Sequence, residues 1–279
     1  MRVAALGSGS EGNAVLLEGR HARVLVDAGF SGIEVERRLD TLGVEPETVD
    51  ALVITHEHRD HTSGMGILAR RFGWPLHLSE ATAEACDDLL YGEETLRFYR
   101  AEEPFRVGDL EFRPFLTCHD SVEPLALAAV ESETGHKVGL ATDLGRATTS
   151  VRAALRDCHF LILEANHDEV LLREGPYPWS VKQRIAGSRG HLSNRLAADL
   201  ARELHHPDLA GVLLFHLSQR CNEPERARSR VEKALRQEGF DGELDVAVQE
   251  EPSRLFDVSE LLARVRDGGG RPQLGLFEG

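Results

Sequence analysis

No run in the chain approaches the roughly 18 consecutive apolar residues that a membrane span requires. The opening "MRVAALGSGSEGNAVLLEG" is broken by Gly and Ser too soon to serve as a signal-peptide core. A soluble, cytoplasmic protein is therefore expected. Cysteine is scarce: Cys86, Cys118, Cys158 and Cys221 are the only four, and none stands in CxxC spacing. Neither a disulfide framework nor a cysteine zinc knuckle is indicated. Positive charge is short as well. There are 32 Lys and Arg against 47 Asp and Glu, a net charge of −15. A general nucleic-acid binder shows a basic face, so any such role here needs a local basic patch. No internal repeat is visible. The remainder is ordinary globular composition, 41% hydrophobic and 28% charged. The length, 279 residues, suits one large α/β domain or two small ones.

What is present is a strand-heavy order with helices between. Residues 2 to 6, 13 to 18 and 22 to 27 predict short strands. "SGIEVERRLDTLG" has helical spacing and stops at Gly43, "DALVIT" is a buried strand, and "GILARRFG" a short helix. "LHLS" and "EATAEACDDLLYG" read as strand then helix, with Ser79 as N-cap. Residues 95 to 142 are rich in strands. A helix then runs to about residue 156, followed by the strand "HFLILEA". Helices at 193–204 and 224–238 flank the strand "GVLLFHL". The pattern predicts two sheets packed face to face with helices outside, in one domain over residues 1–266. Residues 267–279 form a separate tail, a Gly-rich linker followed by a short apolar plug.

The densest signal is "LVITHEHRDHTSG". His56, His58, Asp60 and His61 crowd behind an apolar run, and imidazole and carboxylate suit zinc and similar divalent ions. Four ligands from one segment exceed what a single open catalytic ion needs, so some should face a second ion. Further candidates stand at other strand ends. His119 follows "FRPFLTC", Asp143 follows "VGLAT", and His216 closes "GVLLF". Together these make seven ligands.

"THEHRDH", "CHD", "TDLG" and "FHLS", in this order, resemble the metallo-β-lactamase superfamily of metallohydrolases. The resemblance implies an α/β fold, an αββα four-layer sandwich of two mixed sheets with helices outside and metals at one edge. It implies that His56, His58 and His119 hold one ion, that Asp60, His61 and His216 hold the other, and that Asp143 bridges. Two divalent ions, Zn²⁺ or Mn²⁺, would supply hydroxide near neutral pH and clamp both oxygens of a phosphoryl transfer. Asp60 could also orient that hydroxide.

Four features address the substrate. "GSGSEGNA" offers Ser8, Ser10 and Asn13 near the metals. "LEANHDEVLLREGPYPWSVKQRIAGSRGHLSN", with the opening and the metal motifs, resembles the YycJ/WalJ-like branch of the superfamily. That resemblance implies 5′→3′ exonuclease activity on DNA and a place in replication-linked mismatch repair, with RNA not excluded. Third, Gly175 to Ala198 contains no acid at all, yet carries Lys182, Arg184, Arg189, His191 and Arg195. Tyr177 and Trp179 could stack on bases. Ser193 and Asn194 mark a helix start, where phosphate binds. His191 is a candidate to protonate a leaving group or grip a phosphate. Fourth, Gln273, Leu274, Leu276 and Phe277 in "QLGLF" resemble the bacterial sliding-clamp-binding pentapeptide, on a flexible tether that would raise local concentration on DNA.

Two other readings compete. A hydrolase of small phosphodiesters or thioesters would use the acid-free segment as a lid. A non-catalytic, clamp-bound adaptor would use the metals only to stabilise its fold, but seven ligands exceed the four that usually close a structural site. Only about 70 residues separate "TDLG" from "FHLS", too few for the second domain that RNA-processing relatives insert.

Overall fold

The apolar runs pair into two seven-stranded sheets in the computed structural model, which describes residues 1–268. In chain order the first sheet takes β1 (Arg2–Gly7), β2 (Ala14–Glu18), β3 (Arg23–Val26), β4 (Ala51–Val53), β5 (Leu76–Leu78) and β6 (Leu96–Phe98). The second takes β7 (Phe105–Val107), β8 (Leu110–Leu116), β9 (Leu125–Glu131), β10 (Lys137–Ala141), β11 (Phe160–Glu164), β12 (Gly211–Phe215) and β13 (Glu243–Val246). Then β14 (Phe256–Asp257) returns to pair with β1 at the edge of the first sheet. Both sheets are mixed. β1 to β3 are antiparallel and β3 to β6 parallel, while β7 to β10 are antiparallel and β10 to β13 parallel.

Period-two alternation makes this a four-layer molecule. Along β11, Phe160 and Ile162 point into the core between the sheets, while Leu161 and Leu163 point to the outer helices. β12 repeats this with Leu213 and Phe215 against Val212 and Leu214. In the first sheet Ala51 and Val53 face the centre, whereas Leu52 and Ile54 face outward. Strands covered on both faces read as nearly continuous apolar runs. The helix Asn194–Leu204 buries Ala197, Ala198, Leu200, Ala201 and Leu204 on one stripe, and Ser193 caps it by accepting from the Leu196 amide.

The strands and helices expected from the sequence are all present. β7, β13 and β14 were not expected. They run for only two to four residues, too short for a periodic signal. The helices Glu169–Glu174, Trp179–Ile185 and Val258–Gly268 were also not expected. The last of these carries helical structure past residue 266. No helix among the described residues is long and apolar enough to cross a membrane.

Strand direction positions the site. The C-terminal ends of β1, β3 and β4 open on one edge, and those of β8, β10, β11 and β12 meet them there.

Candidate metal centre

β4 delivers the chain to Thr55 and His56, both buried. The short helix Arg59–Thr62 follows, with His58 as N-cap and Asp60 and His61 in its single turn. His119, Asp143 and His216 follow β8, β10 and β12. Asp27 at the end of β3 (φ 63°), Asp143 (φ 56°) and His216 (φ 59°) all adopt the left-handed conformation. Non-glycine residues rarely do so, and such positions concentrate at functional sites. Gly29 lets this edge close. A Cβ there would lie 1.7 Å from the Asp60 carbonyl oxygen and 2.6 Å from the Asn13 nitrogen, so only glycine fits.

The seven predicted ligands come together. His56, His58 and His119 can offer atoms within 4.8 Å of one another, as can Asp60, His61 and His216, and His56, His61 and Asp143. Asp143 faces both groups. Its Oδ1 lies 3.4 Å from His119 Nε2 and its Oδ2 3.2 Å from His61 Nε2. Asp60 Oδ2 lies 3.2 Å from His216 Nε2 and 3.5 Å from His61 Nε2. Ligands at about 2.05 Å around a tetrahedral ion would be about 3.3 Å apart, so these separations suit shared ions.

In four of the five ligand histidines the outward nitrogen is already occupied, while His58 turns its Nδ1 to within 3.2 Å of His119 Nε2. His61 Nδ1 is 2.8 Å from Asp27 Oδ2, and His216 Nδ1 is 3.0 Å from Glu164 Oε1. His119 Nδ1 is 3.1 Å from the Gly190 carbonyl oxygen. His56 Nδ1 is 3.0 Å from Thr55 Oγ1, whose hydroxyl donates to Asp27. These partners fix the tautomer and leave Nε2 for an ion. His56 Nε2 is buried without a hydrogen-bond partner. An orphaned buried acceptor is costly, and a divalent ion would satisfy it. By these observations the donor set fits divalent metal ions.

The charges interlock. Burial works against a charged His216, but Asp143, Asp60 and Glu164 outweigh it and push it up to about 10. Burial likewise opposes ionised Glu164, yet His191 and His216 hold it down to about 2. Burial, with His61 beside it, holds His56 well below its ordinary value. His191 is raised: burial lowers it, but the carboxylate of Glu164, 2.8 Å from Nδ1, prevails.

A cavity of about 230 Å³ opens over the cluster. His58, Asp60, His119, Asp143, His191 and His216 form its floor. Ser10, Asn166 and Ser218 also line it, as do Asp120, Tyr177, Val181, Arg184 and Ile185. The expected substrate contacts divide here. Ser10 and Arg184 line the cavity, and Arg189 reaches the His119 carbonyl oxygen at 3.3 Å. Ser8 and Asn13 lie near the ligands, as expected, but are not among the lining residues. Ser8 is buried, donates to Asn13 at 2.8 Å and accepts from the His216 amide at 2.6 Å. Asn13 Nδ2 lies 3.3 Å from Asp60 Oδ2. Both brace the ligands from behind. Ser193 and Asn194 are not among the lining residues either. Both are buried, one spent on the helix cap and the other on a pair of amide hydrogen bonds with Asn222. Lys182 turns away and donates to the Arg173 carbonyl oxygen at 2.6 Å. The exposed Trp179 is likewise absent from the lining. Gln273, Leu274, Leu276 and Phe277 lie outside the described residues.

Three acids escaped the sequence reading. Asp27 and Glu164 hold ligand histidines, and Asp120 pairs with Arg184 at the rim. Asp27 and Glu164 end the apolar runs "RVLVD" and "FLILE". That is the signal that found Asp143, so it could have found these.

Comparison with known proteins follows the same lines. The sequence model of the family described as Beta-lactamase superfamily domain matches residues 22–216. Exodeoxyribonuclease YycJ of Bacillus anthracis is 32% identical over 237 residues, 84% of this chain and 89% of that protein. Exodeoxyribonuclease WalJ of Streptococcus pneumoniae is 33% identical over 236 residues, 83% of this chain and 87% of that one. Among solved structures, the metallo-β-lactamase fold protein YhfI of Bacillus subtilis superposes with a TM-score of 0.70. The match covers 92% of this chain and 99% of YhfI at 21% identity, a likeness of fold.

Proposed function

The chain belongs to the metallo-β-lactamase superfamily, and from that premise we propose that it is a two-metal phosphodiesterase acting as a 5′→3′ DNA exonuclease in replication-linked mismatch repair. One observation carries the reading: a seven-ligand cluster, five of whose members line the floor of a cavity, lies beside the acid-free segment that supplies part of the wall. The exodeoxyribonuclease relatives support DNA as the substrate and leave RNA open.

His56, His58 and His119 would hold one ion, Asp60, His61 and His216 the other, with Asp143 between. Bound there, two Zn²⁺ or Mn²⁺ ions would activate water and stabilise charge on the phosphoryl oxygens. The chain's own groups do the rest. Asp60, fixed by Asn13 and His216, orients the attacking water. Glu164 fixes the His191 ring through Nδ1. Its other ring nitrogen can then carry a proton to the leaving oxygen, the task of a general acid. Arg184 and Arg189 contact phosphates, and the Ser10 hydroxyl offers a further hydrogen bond. The C-terminal Gln273, Leu274, Leu276 and Phe277 would tether the enzyme to a sliding clamp.

The test is digestion of duplex DNA, single-stranded DNA and RNA, labelled at either end, with Mn²⁺ or Zn²⁺. An Asp60→Ala variant serves as control. Mononucleotide release from a 5′ label, absent in the variant, is expected. The modest cavity favours one rival, a hydrolase of small phosphodiesters. Inert polymers alongside turnover of a small diester would establish it instead.

A further inference from the structure

The helix Trp179–Ile185 has seven residues and buries none of them completely. It nevertheless sits against the metal edge. Its seat is a tight one. A Cβ on Gly190 would lie 2.2 Å from the carbonyl oxygens of both Arg184 and Ile185. The Gly190 carbonyl oxygen in turn meets His119 Nδ1 at 3.1 Å. Arg184 pairs with Asp120, the residue after His119. The helix is thus anchored at its C-terminal end to a ligand histidine.

Its inner face is not what an acid-free, basic segment leads one to expect. Tyr177, just before the helix, and Val181 and Ile185 within it line the cavity, each half-buried. Val181 and Ile185 are four apart and share one helical face. The Arg220 guanidinium lies 5.8 Å from the Tyr177 ring centroid, a cation–π contact that steadies the ring. The lining also includes Ser10, Asn166 and Ser218, polar and uncharged. So the cavity has a metal floor, uncharged polar groups, and an apolar, aromatic strip beside Arg184, whose guanidinium is drawn to Asp120. A phosphate needs the first two and has no use for the third. An unsubstituted apolar wall beside a phosphodiester site suits the flat face of a base.

We propose that Tyr177, Val181 and Ile185 form a base-contacting wall that holds one nucleobase next to the scissile phosphate by stacking and apolar contact. This rests on the phosphodiesterase reading above and deepens it. The wall offers shape rather than hydrogen-bond partners for a base edge, so it accepts all four bases. It rejects a nucleotide that has none. Base–aromatic stacking carries a factor of roughly 5 to 150 in binding.

The test uses 5′-labelled oligonucleotides with a tetrahydrofuran abasic residue at the first or the second position, beside the fully natural sequence, with Mn²⁺ supplied. For the wild-type chain, kcat/KM should fall about tenfold or more on one of the two abasic substrates. The loss should vary little with which base it replaces. In Tyr177→Ala the natural substrate should slow and the abasic penalty should shrink towards one, while Tyr177→Phe keeps the penalty. Equal rates on natural and both abasic substrates would overturn the wall and leave the nuclease standing. So would a full penalty persisting in Tyr177→Ala. Failure to cut even the natural oligonucleotide would overturn both.

Discussion

Replacing Asp27 by Asn keeps the volume at the end of β3 but weakens the acceptor that fixes His61 and, through Thr55, His56. Loss of such a partner typically weakens metal binding or activity about 10- to 100-fold. Competition with a chromophoric chelator should show that loss in Asp27→Asn. An unchanged affinity would mean that Asp27 serves only the backbone turn. Asp60→Ala should abolish cleavage with an unaltered circular dichroism spectrum, and retained turnover would sink the two-metal mechanism. Protonation belongs to the same scale. Without metal, His216 stays protonated up to about pH 10. An ion at its Nε2 must displace that proton, so binding should release protons and tighten as pH rises from 6 towards 9. Calorimetry in buffers of different ionisation enthalpy reads the release directly. A pH-independent affinity would contradict the interlocked charges described here. These residues differed in how well the sequence showed them. His56 to His61 were legible because four ligand-type side chains crowd into one segment. Asp27 and Glu164 carry the same strand-end signal as Asp143, but with no motif around them that signal alone does not separate them from an acid in a solvated turn.

At the scale of elements, the acid-free segment is where sequence and structure part most instructively. Its lack of acids suggested a basic patch, and part of the segment lines the cavity. Composition, though, cannot say which side chain of a helix faces inward. Lys182 and Trp179 face away, while Arg184 and Tyr177 line the cavity. The salt dependence of DNA binding should reflect this. Arg184→Ala should lower the slope of log K against log salt by about one, and Lys182→Ala should leave it alone. The reverse outcome would place the phosphate track on the outer face. The helix Asn194–Leu204 gives a complementary case. Its start looked like a phosphate site, but Ser193 is spent on the cap. Ser193→Ala should therefore cost about 1 kcal/mol of stability in a denaturant titration and leave the salt slope unchanged. The core strands were legible because burial on both faces writes an unbroken apolar run. β14 was not, because two residues pairing with Arg2 and Val3 carry no period.

For the whole molecule, two facing sheets with helices outside followed from the strand-heavy order, and the four-layer arrangement with its metal edge from the resemblance carried by the metal motifs. The centre joins the two sheets, so metal binding should stabilise the fold as a unit. Ions at about 100 times their dissociation constant would add about 2.7 kcal/mol per site. Melting of the metal-stripped protein should rise by several degrees on Zn²⁺ or Mn²⁺ addition, and Asp60→Ala should lose much of that rise. The charge of −15 disfavours unaided approach to DNA, which gives a tether its purpose. Deleting residues 271–279 should abolish clamp binding and spare hydrolysis of short duplexes. Undiminished binding by the truncated chain would refute the tail assignment.

Because the centre draws on both sheets, its parts are made at different times. His61 leaves the ribosome about 155 residues ahead of His216. At about 5 to 20 residues per second, the first four ligands wait roughly 8 to 30 seconds for the last. A nascent chain early in that interval offers passing ions a cluster with no Asp143, and until its end one with no His216. An ion that needs the full set would therefore be chosen by the finished edge rather than by the emerging peptide.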